Sequence, residues 1–159
     1  MKPIQLLLNL LLDKQDEFEI ERRNPAGEGE IAAFEAALQL TLPADIRAFY
    51  KVCNGFETAD FLFQILPLKQ IRDDFLTYGM GTAGRRFGLA EYLIYSDTWE
   101  VVLDPASATG YYITNADHGS GAPVVLTDSI LAFACRYLEG TGVFGERGLY
   151  EWLAERRGA

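Results

Sequence analysis

The side chains that could do chemistry are few, and most fail on spacing. The single histidine, His118, lies between Asp117 and Ser120 in Ala116-Asp117-His118-Gly119-Ser120-Gly121. Those are the residue types of a nucleophilic triad. Triad members converge from separate elements, however, whereas neighbours in one turn point apart. No GxSxG elbow surrounds Ser120 either. A zinc site needs three or four N or S ligands. One histidine and two cysteines (Cys53 and Cys135, each on the apolar stripe of an expected helix) do not supply them, so neither a metal nor a cofactor is expected. Gly79, Gly81 and Gly84 spell GxGxxG, and Asp104 follows about twenty residues on. A dinucleotide loop needs a strand before it and a helix after it. Here a helical segment precedes, and Arg85-Arg86-Phe87-Gly88 leads towards a strand, so Gly79–Gly88 reads as a surface loop.

Carboxylates are plentiful, and a hydrolase needs a pair about 5–9 Å apart. Asp73-Asp74 are adjacent on a short helix and face apart, and the spacing of Asp97, Glu100 and Asp104 selects no pair. A small hydrolase using acidic loop residues therefore stays as the alternative function. The charge distribution is more informative. Between Arg86 and Arg136 there is no lysine or arginine, while Glu91, Asp97, Glu100, Asp104, Asp117 and Asp128 all fall inside. Four of them (Asp97, Glu100, Asp104 and Asp117) lie in or beside strand connections, where exposure is expected. Together with Trp99 and the outward member of Tyr111-Tyr112 as aromatic anchors, they read as a docking face for a basic protein.

The elements that must position these groups follow from periodicity. Ile4, Leu7, Leu8 and Leu11 give a docked first helix. It is too short and too interrupted by Gln5 and Asn9 for a signal peptide or a membrane span. Charged residues 16–30 form a loop, with a possible short strand at Phe18 and Ile20. A helix over about 28–40 follows, with Ile31, Phe34 and Leu38 on one face. Leu42–Phe56 then reads as a fully punctuated helix. Pro43 sits in its first turn, Ile46, Phe49, Tyr50 and Cys53 form its apolar stripe, and Asn54-Gly55 stops it. Asp60–Leu66 is a short strand, and Leu68, Ile71 and Phe75 mark two helical turns. EYLIYS, WEVVLD, GYYIT and APVVL, within residues 91–126, make an antiparallel meander. Thr127 or Asp128 caps a helix lined by Ile130, Ala134 and Leu138, and a last helix spans about 149–156.

A chain of 159 residues fits one domain, 1–159, able to bury about 70% of its unfolded surface. Hydrophobic residues at 49% give it a core. A net charge of −9 disfavours nucleic acid, which needs clustered bases, and favours a basic protein partner. Two cysteines read as small buried hydrophobes fit a cytoplasmic location. The fold class expected is α+β, an antiparallel meander flanked by several helices.

From Ile31 to Gly55, IAAFEAALQLTLPADIRAFYKVCNG resembles the signature of the SUKH superfamily, the Smi/Knr type, which runs roughly I..FE..L...LP.D...FY...NG. SDTWEVVLDP and DSILAFACRYLEG resemble its later strand pair and helix more loosely, so the match spans residues 31–140. Two departures are Asp97-Thr98-Trp99, where relatives often carry glycines, and Ile130, where an aromatic is common. The resemblance implies a non-enzymatic protein-binding domain. Bacterial members are commonly immunity proteins that neutralise toxins, many of them nucleases, and fungal relatives regulate cell-wall assembly. It therefore implies a protein partner such as a basic toxin domain, with Asp97, Trp99, Glu100, Asp104 and Asp117 as the contact candidates.

Overall fold

A computed structural model describes residues 3–59, 62–115 and 122–158. In chain order the elements are α1 (Pro3–Asp13), α2 (Gln15–Phe18), β1 (Glu21–Arg22), α3 (Glu28–Leu38), α4 (Ala44–Val52), β2 (Phe56–Glu57), β3 (Phe63–Ile65) and α5 (Leu68–Tyr78). They continue with β4 (Arg86–Tyr92), β5 (Asp97–Leu103), β6 (Tyr111–Asn115), β7 (Val124–Thr127), α6 (Ile130–Glu139) and α7 (Leu149–Gly158). The strands form one sheet in sequence order, each antiparallel to the next. This is the α+β meander that the strand-like runs predict.

The core lies between the sheet and the helices. Along β5 the side chains alternate, with Asp97, Trp99 and Val101 buried and Thr98, Glu100 and Val102 on the more open face. Trp99 is 0% exposed. Its ring meets Phe63 of β3 at 5.7 Å and Phe133 of α6 at 6.1 Å, and stacks on Tyr150 of α7 at 6.3 Å. Helix α6 therefore crosses the middle of the sheet, with α1 and α4 packed on it. Phe34 of α3 meets Phe87 of β4 edge to face at 5.3 Å, and α5 packs against both α3 and β4.

The Ile31–Gly55 pattern proves to be a set of joints. Glu35 accepts the Leu42 N–H at 2.7 Å and the Arg47 guanidinium at 2.6 Å, which fixes the turn from α3 into α4. The Tyr50 hydroxyl donates to the Leu66 carbonyl at 2.8 Å. Asn54 accepts the Leu68 N–H at 3.0 Å, which ties the end of α4 to the start of α5. Asp45 accepts the Tyr111 hydroxyl at 2.7 Å, and that oxygen accepts the Ile130 N–H at 2.7 Å. One aspartate thus connects α4, β6 and α6. Gly55 has φ +82°, and a Cβ there would stand 2.2 Å from the Ile65 carbonyl oxygen. Only glycine fits against β3 at that point.

Several local expectations need correcting. Pro43 precedes α4 as its N-cap, and the helix ends at Val52, with Cys53 already extended. Gly55 is therefore a close-approach residue and not the helix stop. Phe18 ends a short helix, and the strand forms later, at Glu21–Arg22. The Gly79–Gly88 loop is shorter than its glycines suggest, because β4 begins at Arg86. Helix α6 is capped by Ser129, whose hydroxyl accepts the Ala132 N–H at 3.1 Å, and not by Thr127 or Asp128. Both cysteines are free; Cys53 is buried but Cys135 only half-buried. Burial pushes the Cys53 thiol up to about 11, and that thiol donates to the Gly55 carbonyl at 2.9 Å.

The largest difference is in EYLIYS. The strand stops at Tyr92, and Leu93, Ile94 and Tyr95 are all left-handed, with φ of 55°, 51° and 62°. No glycine marks this turn, so β propensity misreads it as strand.

Candidate functional site

The base-free segment does not present its acids as one open face. Asp97 is 4% exposed. Its carboxylate accepts the Thr98 N–H at 2.9 Å, the Asn115 amide at 3.0 Å and the Tyr150 hydroxyl at 2.7 Å. Trp99 is core, so neither residue can be an exposed contact. Tyr111 is also buried, and Tyr112 is the partly open member of its pair. Glu91 is 2% exposed and accepts the Gln64 amide at 2.9 Å and the Tyr95 N–H at 2.7 Å. Glu100 is partly exposed but lies 2.7 Å from the Arg86 guanidinium, a base just outside the segment. Asp104 is partly exposed and accepts the Ala106 N–H at 2.9 Å, closing the turn after β5. Asp117, with His118 and Ser120, lies outside the described residues.

Beside Glu91 and Asp97 the surface is apolar. Ile94 is 82% exposed and Leu93 is exposed beside it, at the tip of the β4–β5 connection. A left-handed residue costs about 1–2 kcal/mol, and a β-branched one in that conformation is an outlier. Three in succession persist only where the surroundings fix them. Here Glu91 grips the Tyr95 backbone, the Leu93 N–H donates to the Leu62 carbonyl, and the Ser96 N–H donates to the Leu93 carbonyl at 3.1 Å. The Tyr95 hydroxyl donates to the buried Asp74 at 2.6 Å. That phenol is held above its usual range, by burial first and then by the Asp74 carboxylate. Inward carboxylates thus hold an outward apolar tip.

Next to the turn, a cleft of about 250 Å³ opens between α2, the β2–β3 hairpin and the connection from α6 to α7. Tyr92, the last residue of β4, lines it, and the Tyr92 ring meets Phe144 edge to face at 5.5 Å. Phe144 is 57% exposed. Among the described residues, no group of three or more His, Cys, Asp or Glu is placed to hold a metal ion. No described helix is long and apolar enough to cross a membrane.

The joints explain Glu35, Asp45, Tyr50, Asn54 and Gly55 of the Ile31–Gly55 pattern and the core explains Ile31, Phe34, Leu38 and Phe49; a family model described as SMI1/KNR4 (SUKH-1) matches residues 25–134. The chain belongs to the SMI1/KNR4 family. No curated protein sequence matched it. The family match ends inside α6 and takes in both the signature joints and the β4–β5 turn. It leaves out α7 and the connection carrying Phe144, so the aromatic wall of the cleft is contributed partly by residues beyond the matched region.

Sequence reasoning missed Leu93, Ile94 and the cleft. One signal was available. Tyr92-Leu93-Ile94-Tyr95 are four apolar residues in a row, and alternation cannot turn all of them inward. The cleft gave no signal, because its rings come from segments far apart in the chain.

Proposed function

We propose that this SMI1/KNR4-family chain is a non-enzymatic protein-binding module of the immunity type, which neutralises a partner toxin in the cytoplasm. The observation that carries it is the buttressed apolar tip at Leu93-Ile94. An exposed isoleucine held in a strained turn has no role in the chain's own packing, and it suits burial against a partner. The charge of −9 supports a basic partner, because long-range attraction speeds encounter while the apolar tip supplies contact area. The buried state of Asp97 and Glu91, each engaged by neighbouring donors, argues against the hydrolase alternative. A regulatory module of the cell-wall-assembly type would use the same tip on a different partner.

The test is growth rescue. The chain is co-expressed with any toxin encoded beside its gene, and binding is measured for parent and Ile94→Asn. The variant is expected to lose at least about tenfold in affinity, the contribution of one buried aliphatic anchor, and to fail in rescue. Full rescue by Ile94→Asn sinks the assignment of the tip. Absence of any toxin that the parent neutralises sinks the immunity reading itself.

A further inference from the structure

The apolar tip is fastened from behind by a row of polar side chains that crosses three strands. Glu57, Gln64 and Glu91 face one another in register on β2, β3 and β4. Arg23, just past β1, reaches over the start of this row. Its guanidinium donates to the Gln64 side-chain oxygen at 2.7 Å, to Glu57 at 3.1 Å and to the Ile65 carbonyl at 3.0 Å. The Gln64 amide nitrogen in turn donates to Glu91 at 2.9 Å, and the other Glu91 oxygen accepts the Tyr95 N–H at 2.7 Å. Gly55 leaves the room that Arg23 uses, since a Cβ there would stand 3.1 Å from the guanidinium. The series of bonds therefore begins at the signature and ends at the strained turn.

The order of residue types in this series is chemically specific. Arginine only donates, and an ionised glutamate only accepts. A side chain set between them must show an acceptor to one and a donor to the other, and the two ends of a glutamine amide do so. A carboxylate in its place would suit Arg23 and oppose Glu91; an ammonium would suit Glu91 and oppose Arg23. We propose that Gln64 is a positioning residue for the Leu93-Ile94 tip: turned by Arg23, its amide holds Glu91 against the Tyr95 backbone and so fixes the left-handed turn. The inference deepens the protein-binding reading above and rests on it for any effect on a partner. Glu91 is 2% exposed, so a carboxylate oxygen that loses its donor there has no ready replacement from water.

The test exchanges the two residue types in the full chain. Gln64→Glu sets two carboxylates against each other. Glu91→Gln leaves a donor facing a donor, either between the two amides or at the Tyr95 N–H. The double variant, Gln64→Glu with Glu91→Gln, restores the order: the new carboxylate accepts from Arg23 and from the new amide, whose oxygen faces the Tyr95 N–H. Amide hydrogen exchange followed by NMR reads the turn directly. In each single variant the Tyr95 amide is expected to exchange at least about fivefold faster relative to the Ile113 amide of β6, the scale of one hydrogen bond. A general loss of stability would speed Ile113 as well and would not raise that ratio. The double variant is expected to return to the parent's ratio and to recover growth rescue that Gln64→Glu loses. Single variants that fail to fold while the double variant folds give the same support. A double variant that fails to fold, or whose Tyr95 amide exchanges as fast as in the single variants, overturns the proposal. So does full growth rescue by Gln64→Glu in a chain whose Tyr95 amide has become fast. If the exchange pattern holds while Ile94→Asn keeps full rescue, Gln64 fixes the turn but the tip is not the contact. If Ile94→Asn loses rescue and the double variant restores nothing, the role of Gln64 is wrong and the protein-binding reading stands.

Discussion

Two regions of this molecule carry polar residues in sequence positions that look exposed, and both turn them inward. In the Ile31–Gly55 region, Glu35, Asp45 and Asn54 each fasten one element to another. Around the β4–β5 turn, Glu91, Asp97 and Asp74 do the same for a hairpin tip. The outcome on the surface differs. The first region closes on itself, and Ile46, Phe49 and Tyr50 are all buried. The second leaves Leu93 and Ile94 exposed. Joining elements with hydrogen-bonded carboxylates is common to both; what separates scaffold from contact surface is whether apolar side chains remain outside once the polar ones are satisfied.

The largest break in that comparison should come from Gly55. Gly55→Val forces a β-branched side chain into positive φ and drives its Cβ into the Ile65 carbonyl. A loss of about 3–5 kcal/mol, or failure to fold, is expected in urea unfolding. A variant that kept stability and lost partner binding would move the signature from scaffold to site. Tyr95→Phe comes next. It removes the donor to Asp74 and leaves a buried carboxylate oxygen poorly served, which costs about 1–3 kcal/mol. Its effect on partner affinity should be smaller than that of Ile94→Asn, since the apolar tip itself is retained. Ile94→Asn should move stability the other way. Asparagine tolerates the left-handed region better than isoleucine, so a gain of about 0.5–1 kcal/mol is expected together with the loss of binding. A residue that destabilises the free chain and strengthens the complex is the mark of a contact surface. If Ile94→Asn were destabilising, the tip would have to be reassigned to the scaffold.

The signature region was legible because each joint admits few residue types. Gly55 is required by positive φ and contact with Ile65, and a motif of Leu-Pro, Asp and Asn-Gly shows in the letters. The meander was legible as well, since β5 alternates buried and more open residues. The tip was not, because its three left-handed residues are Leu, Ile and Tyr, which signal strand. Nor could charge alone reveal that Asp97 points inward, since its partners Asn115 and Tyr150 lie 18 and 53 residues away. Charged residues near turns are usually solvated, and here the exception was decided by long-range donors.

Asp45 sharpens the comparison most gently, through pH. Burial is the largest influence on its carboxyl and raises it above the ordinary aspartate value near 3.8; the Tyr111 hydroxyl opposes that rise only in part. The folded chain therefore keeps this proton to a higher pH than the unfolded chain does. As pH rises from below 3.8, the unfolded state ionises first, and stability falls until the folded-state value is passed. Above that point the Asp45 contribution is flat, with the penalty fully present. Asp45→Asn has no such proton, while its amide oxygen can still accept from Tyr111. The difference in urea midpoint, variant minus parent, should therefore climb in the variant's favour as pH rises through the ordinary aspartate value near 3.8, and level off once the folded-state carboxyl has ionised. Because every other titrating group is common to both chains, its contribution cancels in that difference. A flat difference across the range would mean that Asp45 is solvated like a surface aspartate, and the joint between α4, β6 and α6 would then rest on the Tyr111–Ile130 hydrogen bond alone.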